Sequence, residues 1–198
     1  MQVQPKKIVT DNPAAHLINT YRTAAANHIN LAYRTMAANA GNYPAVMATA
    51  NQLYEDINHM RLIGILTDRE YDAAAAIAFE VIAGDSANEL LLPEMTSIRD
   101  EDANEVFGIA EAKRLVRLSI SEPINKCISF LINDTEEDWK KDGWESSDEY
   151  HRYLMKTVHN LMRVGRIVGA TTEKEHSNVT EHMKQCIENQ VYAVMVLD

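Results

Sequence analysis

Three carboxylate–histidine pairs stand three residues apart in this chain: Asp56 with His59, Asp148 with His151, and Glu173 with His176. Glu55 lies four residues before His59. On a helix, groups three or four apart share a face, so each pair could chelate one metal ion. Helical di-metal sites take a Glu-x-x-His from each of two helices and a Glu from each of two others. Glu173/His176 alone has that form. Two of the three pairs fall where helix N-termini are expected, and the helix dipole favours acids there in any case. Asp56, His59, Glu173 and His176 are the metal-ligand candidates, with His28 as an inward-facing extra. A lone histidine on an apolar face is more often a satisfied core residue, and no other cofactor is expected.

The sharpest pattern is a basic stripe. Arg152, Lys156, His159, Arg163 and Arg166 are spaced four, three, four and three. At the α-helical rotation per residue they fall within about 80° of arc. Tyr150, Leu154, Val158, Leu161, Gly165 and Val168 occupy the opposite face. Such a stripe can take phosphates or an acidic partner surface. The plainer expectation is a solvated face paired with this chain's own acids, of which there are 29.

Trp139 and Trp144 sit in the most polar run of the chain, from Asp134 to Glu149. Tryptophan is enriched at interface hot spots, so this segment could present an anchor to a partner. On that reading, replacing both with Ala abolishes partner capture and leaves helicity unchanged. The alternative is that both rings fold back and plug an end of the bundle.

Other chemistry lacks a signature. There is no Gly-rich phosphate loop, no Gly-x-Ser-x-Gly elbow and no His-Glu-x-x-His. Cys127 and Cys186 have neither metal-site nor redox spacing. Both sit on apolar stripes, where cysteine behaves as a small hydrophobe.

These residues need elements to position them. The 198 residues suffice for one domain with a sizeable core, and a hydrophobic fraction of 46% is an ordinary globular value. Gly (7) and Pro (5) are scarce, so elements should be long. The net charge of −10 hides an asymmetry, because no Asp or Glu occurs from Asn12 to Tyr54. An acidic body argues against general nucleic-acid binding. No stretch approaches the ~20 apolar residues of a membrane span, and no signal-like apolar core follows the first residues. A cytoplasmic, reduced protein is expected.

Residues 1–10 read as an extended lead-in, and 11–198 as a single all-α domain with a sub-division conceivable near 134–149. Asp11 and Pro13 start a first helix that ends at Gly41 and Asn42. A second runs from Pro44 to about Leu66. Thr67 and Glu70 form a capping box for a third, closed by Gly84. Ser86 and Glu89 suggest a short helix stopped by Pro93. Asp100 caps a helix to about Leu118, and Ser121 caps another. Ser146 with Glu149, and Thr172 with Glu175, start two long final helices. The apolar run 191–197 is a buried helix end or a strand. No repeat at a fixed period is evident.

The expected fold is an all-α bundle of roughly six to eight helices in antiparallel hairpins. The expected function is a non-enzymatic binding or regulatory protein that contacts a protein partner and self-associates as a homodimer. A metal-dependent helical-bundle enzyme is the second reading. Nucleic-acid or nucleotide binding through the basic face is the third.

Overall fold

The computed structural model describes residues 13–85, 88–92 and 109–197. Among them there are seven helices and no strand, which makes this an all-α bundle. They are α1 (Pro13–Ala38), α2 (Tyr43–Leu62), α3 (Asp68–Ala83), α4 (Ile109–Asn133), α5 (Glu136–Lys141), α6 (Ser147–Val168) and α7 (Glu173–Asn189). No helix among the described residues is long and apolar enough to cross a membrane. The expected lead-in at 1–10 and the caps at Asp11 and Asp100 lie outside the described residues.

Local sequence sets the helix starts. Asn42 accepts from the Ala45 amide at 3.3 Å, and Pro44 stands in the first turn of α2. Thr67 and Glu70 cap α3 reciprocally, at 3.3 and 2.8 Å. Thr172 and Glu175 do the same for α7, at 3.2 and 2.6 Å. Each box satisfies amides that the first turn leaves without partners.

The four long helices α1, α2, α6 and α4 pack in a ring, and α1 also meets α6 across it. α3 covers α1 and α2, whereas α7 covers α4 and α6. The core runs through all four, with Ile29, Tyr33, Leu53, Ile57, Ile120, Ile124, Ile128 and Leu161 almost fully buried.

Three expectations are corrected. The boundary between Leu118 and Ser121 does not exist, because α4 continues through Pro123. An internal proline costs about 3 kcal/mol, but Ile120, Ile124 and Ile128 bury one continuous stripe across it, worth about 2 kcal/mol each. The short helix at Ser86–Pro93 is not formed at 88–92, where Leu90 is held in irregular backbone by Asn30. Residues 191–197 form neither a helix nor a paired strand. They follow α7 as an extended strap, burying Met195 and Leu197 and exposing Val194 and Val196.

The two halves of the chain repeat one another. Arg22 of α1 bonds the Ile65 carbonyl at 2.8 Å and pairs with Glu70. Arg117 of α4 bonds the Ala170 carbonyl at 3.0 Å and pairs with Glu175. Asn30 clasps Leu90, its amide nitrogen donating to the Leu90 carbonyl at 3.1 Å and its oxygen accepting from the Leu90 amide at 2.8 Å. Asn125 clasps Met195 in the same way, at 2.8 Å in both directions. Arg61 pairs with Asp68 as Arg166 pairs with Glu173. The turn Ile63-Gly-Ile-Leu-Thr-Asp-Arg-Glu-Tyr71 matches Val168-Gly-Ala-Thr-Thr-Glu-Lys-Glu-His176, with Gly64 and Gly169 both left-handed at φ 75° and 84°.

Equivalent residues of α1 and α4 lie 95 positions apart (Arg22 and Arg117, Asn30 and Asn125). Beyond those helices the offset is 105 (Glu70 and Glu175, Leu90 and Met195). The extra residues fall in the α4–α6 connection, which contains α5. That insertion is why no fixed period is visible along the sequence. It also places the tryptophan-bearing segment inside the second repeat.

Candidate functional site

The duplication separates what the fold requires from what one half adds. The Arg–carbonyl–Glu bridge and the Asn clasp occur twice, so they are structural devices of the repeat. The groups around Asp56 occur once. Asp56 in α2 is 1% exposed, and its place in the second repeat is taken by Leu161, an apolar core residue. Its three neighbours have the equivalents Pro123 for His28, Thr157 for Gln52 and Asn58 for Arg163. A buried carboxylate is therefore not something this bundle needs at that point.

Three helices converge on it. His28 of α1 meets the Asp56 carboxylate through Nε2 at 2.8 Å. Arg163 of α6 grips both oxygens, one through Nη1 at 3.1 Å and the other through Nη2. Gln52, one turn earlier on α2, donates to Oδ1 at 3.1 Å. α1 reaches α6 across the ring, and this contact brings His28 and Arg163 to one carboxylate. Desolvation pushes the Asp56 carboxyl up. The His28 bond and the Arg163 guanidinium outweigh that and hold it below the usual carboxylate range. Asp56 is thus anionic at neutral pH and Arg163 cationic, so the pair is internally neutral.

The cluster closes one end of a cavity of about 420 Å³ between α1 and α2. Leu31, Ala32, Ala48 and Leu53 form its apolar walls, with Thr35 and Thr49 beside them. This is the acid-free part of the sequence. The two threonine hydroxyls donate to the Leu31 and Ala45 carbonyls of their own helices, at 2.9 and 3.0 Å. The site thus offers a shaped apolar groove with an imidazole and an amide at its end. A pocket of this size and lining, with few converging polar groups, is a usual recognition site.

The other sequence candidates go elsewhere. The basic stripe is largely neutralised within the molecule. Lys156 pairs with Glu55 at 2.5 Å, Arg163 with Asp56, and Arg166 with Glu173, while Arg152 bonds the Asp148 carbonyl at 3.2 Å. Asn160 adds a second bond to Glu55 at 3.1 Å. His159 meets His176 with the rings tilted by 52° and their centres 4.7 Å apart, and a hydrogen bond of 3.0 Å joins His159 Nδ1 and His176 Nε2. Burial, then the proximity of His159 and Arg166, hold the His176 imidazole below its usual range.

The four metal candidates do not converge. Asp56 is with His28 and Arg163, Glu173 with Arg166, and His176 with His159, while the His59 ring bonds the Glu55 carbonyl at 2.6 Å. No group of three or more His, Cys, Asp or Glu side chains suited to a metal occurs among the described residues.

The tryptophans pack inward. Trp139 in α5 is 9% exposed and belongs to the core, and Trp144 lies half-buried against Tyr150 and Tyr153, centroids 5.8 and 4.9 Å apart. The rings and the basic stripe stand out in the sequence as partner-facing candidates, whereas the α1/α2 groove does not. The signal for the groove was the absence of Asp and Glu from Asn12 to Tyr54, interrupted immediately afterwards by Glu55 and Asp56.

Comparison of the chain with family models, curated proteins and solved structures finds no match.

Proposed function

We propose that this chain is a non-enzymatic binding protein that takes an uncharged, largely apolar segment of a protein partner into the α1/α2 groove. One observation carries the reading. Buried Asp56, paired with the partly exposed Arg163 and His28, stands at the groove end where the duplicate of the same fold has Leu161. Replacing a buried ion pair by apolar packing is often neutral or stabilising. The fold therefore gains little from the cluster itself, and recognition accounts for its presence. The walls carry no formal charge, and the charge at the end is balanced, so a neutral partner surface fits. The internal pairing of Lys156, Arg163 and Arg166 leaves the nucleic-acid reading with little cationic surface.

The test uses a photo-crosslinking residue at Ala48, which is exposed on the groove wall. The expected result is a discrete crosslinked adduct in host lysate that disappears when Leu31→Asp is added. A yield equal to that from a crosslinker at exposed Glu188, or one indifferent to Leu31→Asp, would sink the reading.

A further inference from the structure

The strap that follows α7 leaves the backbone groups of alternate residues open on one side. In an extended segment the N–H and C=O of one residue point to the same side, and successive residues alternate. Met195 gives both its backbone groups to Asn125, and Ala193 gives its carbonyl to His182 Nε2 at 2.8 Å. The odd-numbered residues therefore face the body of the molecule. Tyr192, Val194 and Val196 turn their backbone groups the other way, and no partner for them occurs among the described residues. Val194 and Val196 also expose their side chains, at 65% and 67%. The run Val191-Tyr-Ala-Val-Met-Val-Leu197 has no charge, no proline and no glycine, and it is rich in strand-favouring residues.

The duplicate shows how this fold guards such an edge. Leu90 is clasped by Asn30 as Met195 is by Asn125. Its flanking residue Glu89 is charged and pairs with Arg34, and Pro93 follows in the sequence. Charge and proline are the usual means of preventing edge pairing. In the second strap Val194 stands where Glu89 does, and Asp198 follows in the sequence where Pro93 does.

We infer that residues 191–197 pair, antiparallel and about a two-fold axis, with the same segment of a second copy of this chain. The occupant follows from self-complementarity. An uncharged strand needs a neutral strand opposite, and isologous contact is the closed solution for two identical edges. Centring the pair on Val194 sets Val194 opposite Val194 and Tyr192 opposite Val196, an aromatic–β-branched match that stabilises sheets. Each such pair exchanges two backbone hydrogen bonds. A single strand pair buries less than a standard interface, so the dimer is concentration-dependent. The groove between α1 and α2 plays no part in it.

Sedimentation equilibrium of the full chain over a wide concentration range tests this. The wild type is expected to dimerise reversibly. Val194→Lys and Val194→Glu should each be monomeric with unchanged circular dichroism, because like charges then meet across the axis. An equimolar mixture of the two should recover a heterodimer, as Lys faces Glu. A wild type that stays monomeric throughout would overturn the inference. So would a dimer indifferent to Val194→Lys, or a mixture that remains monomeric while both variants are folded.

Discussion

Removing the Arg163 guanidinium should cost far more than an ordinary surface substitution, and removing its partner as well should restore most of the loss. Arg163→Met keeps the aliphatic stem but leaves Asp56, 1% exposed, with only His28 and Gln52. Breaking one side of a buried ion pair costs about 3–5 kcal/mol. Part of Arg163 reaches solvent, at 21% side-chain exposure, which argues for the lower end. With a urea m-value of about 2 kcal/mol/M, a loss of about 3 kcal/mol moves the midpoint down by about 1.5 M. Asp56→Leu with Arg163→Met reproduces the apolar choice of the second repeat at Leu161. That double variant should lie within about 1 kcal/mol of wild type or above it. The assay is urea unfolding at pH 7.5, followed by far-ultraviolet circular dichroism. Asp56 is held below the usual carboxylate range. Its ionised contribution is therefore full above about pH 4 and is lost as pH falls through the folded value. On acidification in that window the wild type should lose stability relative to the double variant, which has no carboxylate at position 56. A loss below about 1 kcal/mol for Arg163→Met, or a double variant no better than the single, would refute the claim that the pair is desolvated and dispensable to the fold.

Two further outcomes follow from the same geometry. His176 is held neutral by burial and by His159 and Arg166, so its contribution is full above the unfolded imidazole value near 6.5 and is lost as pH falls through the depressed folded one. His159→Tyr with His176→Tyr copies the Tyr54 and Tyr71 positions of the first repeat. It should flatten the stability loss between pH 7.5 and 5.5, read as urea midpoints, and an unchanged slope would contradict this. Trp139→Ala should lower stability by about 3 kcal/mol, because the ring is core, while Trp144→Ala should cost clearly less. Equal midpoints for the two variants would show that the α5 insertion does not plug the bundle.

What the sequence made legible was local. The capping boxes at Thr67 and Thr172, the cap at Ser146 and the amphipathic face of α6 all depend on residues within a turn or two of one another. The boundary between Leu118 and Ser121 was misplaced because a cap-like Ser121 is visible locally, whereas the long-range burial of Ile120, Ile124 and Ile128 that carries one helix through Pro123 is not. The same limit hid the site. Asp56 and Arg163 were each singled out, but for different chemistries, because only the packing of α6 against α2 brings Arg163 to Asp56, and that of α1 against α2 brings His28. Lys156 and Glu55, or Trp144 and Tyr153, show the same dependence on helix order in space. The repeat went unseen because the α5 insertion shifts its offset between α4 and α6, and because the paired residues are clasps and bridges separated by long variable stretches.

The duplication supplies a comparison that a single sequence otherwise lacks. Two three-helix units under the same packing constraints keep the Arg22 and Arg117 bridges, the Asn30 and Asn125 clasps and the Gly64 and Gly169 turns. Whatever the fold needs in both places, it keeps in both places. Differences confined to solvent-facing positions mean little, since such positions drift. Differences at buried or edge positions are another matter, because substitution there usually costs 1 kcal/mol or more. Asp56 against Leu161 is a buried difference that makes one half less easily packed. The unguarded strap at 191–197 against the guarded one at Leu90 is an edge difference that makes one half more prone to associate. Both run against stability or solubility taken alone, and they lie on different faces served by different helices. A divergence that is locally unfavourable, and confined to one copy, is explained by what that surface binds. The groove at Asp56 and the edge at Val194 are therefore two separate proposals, one for a partner and one for a second copy of the chain, and each is tested without the other.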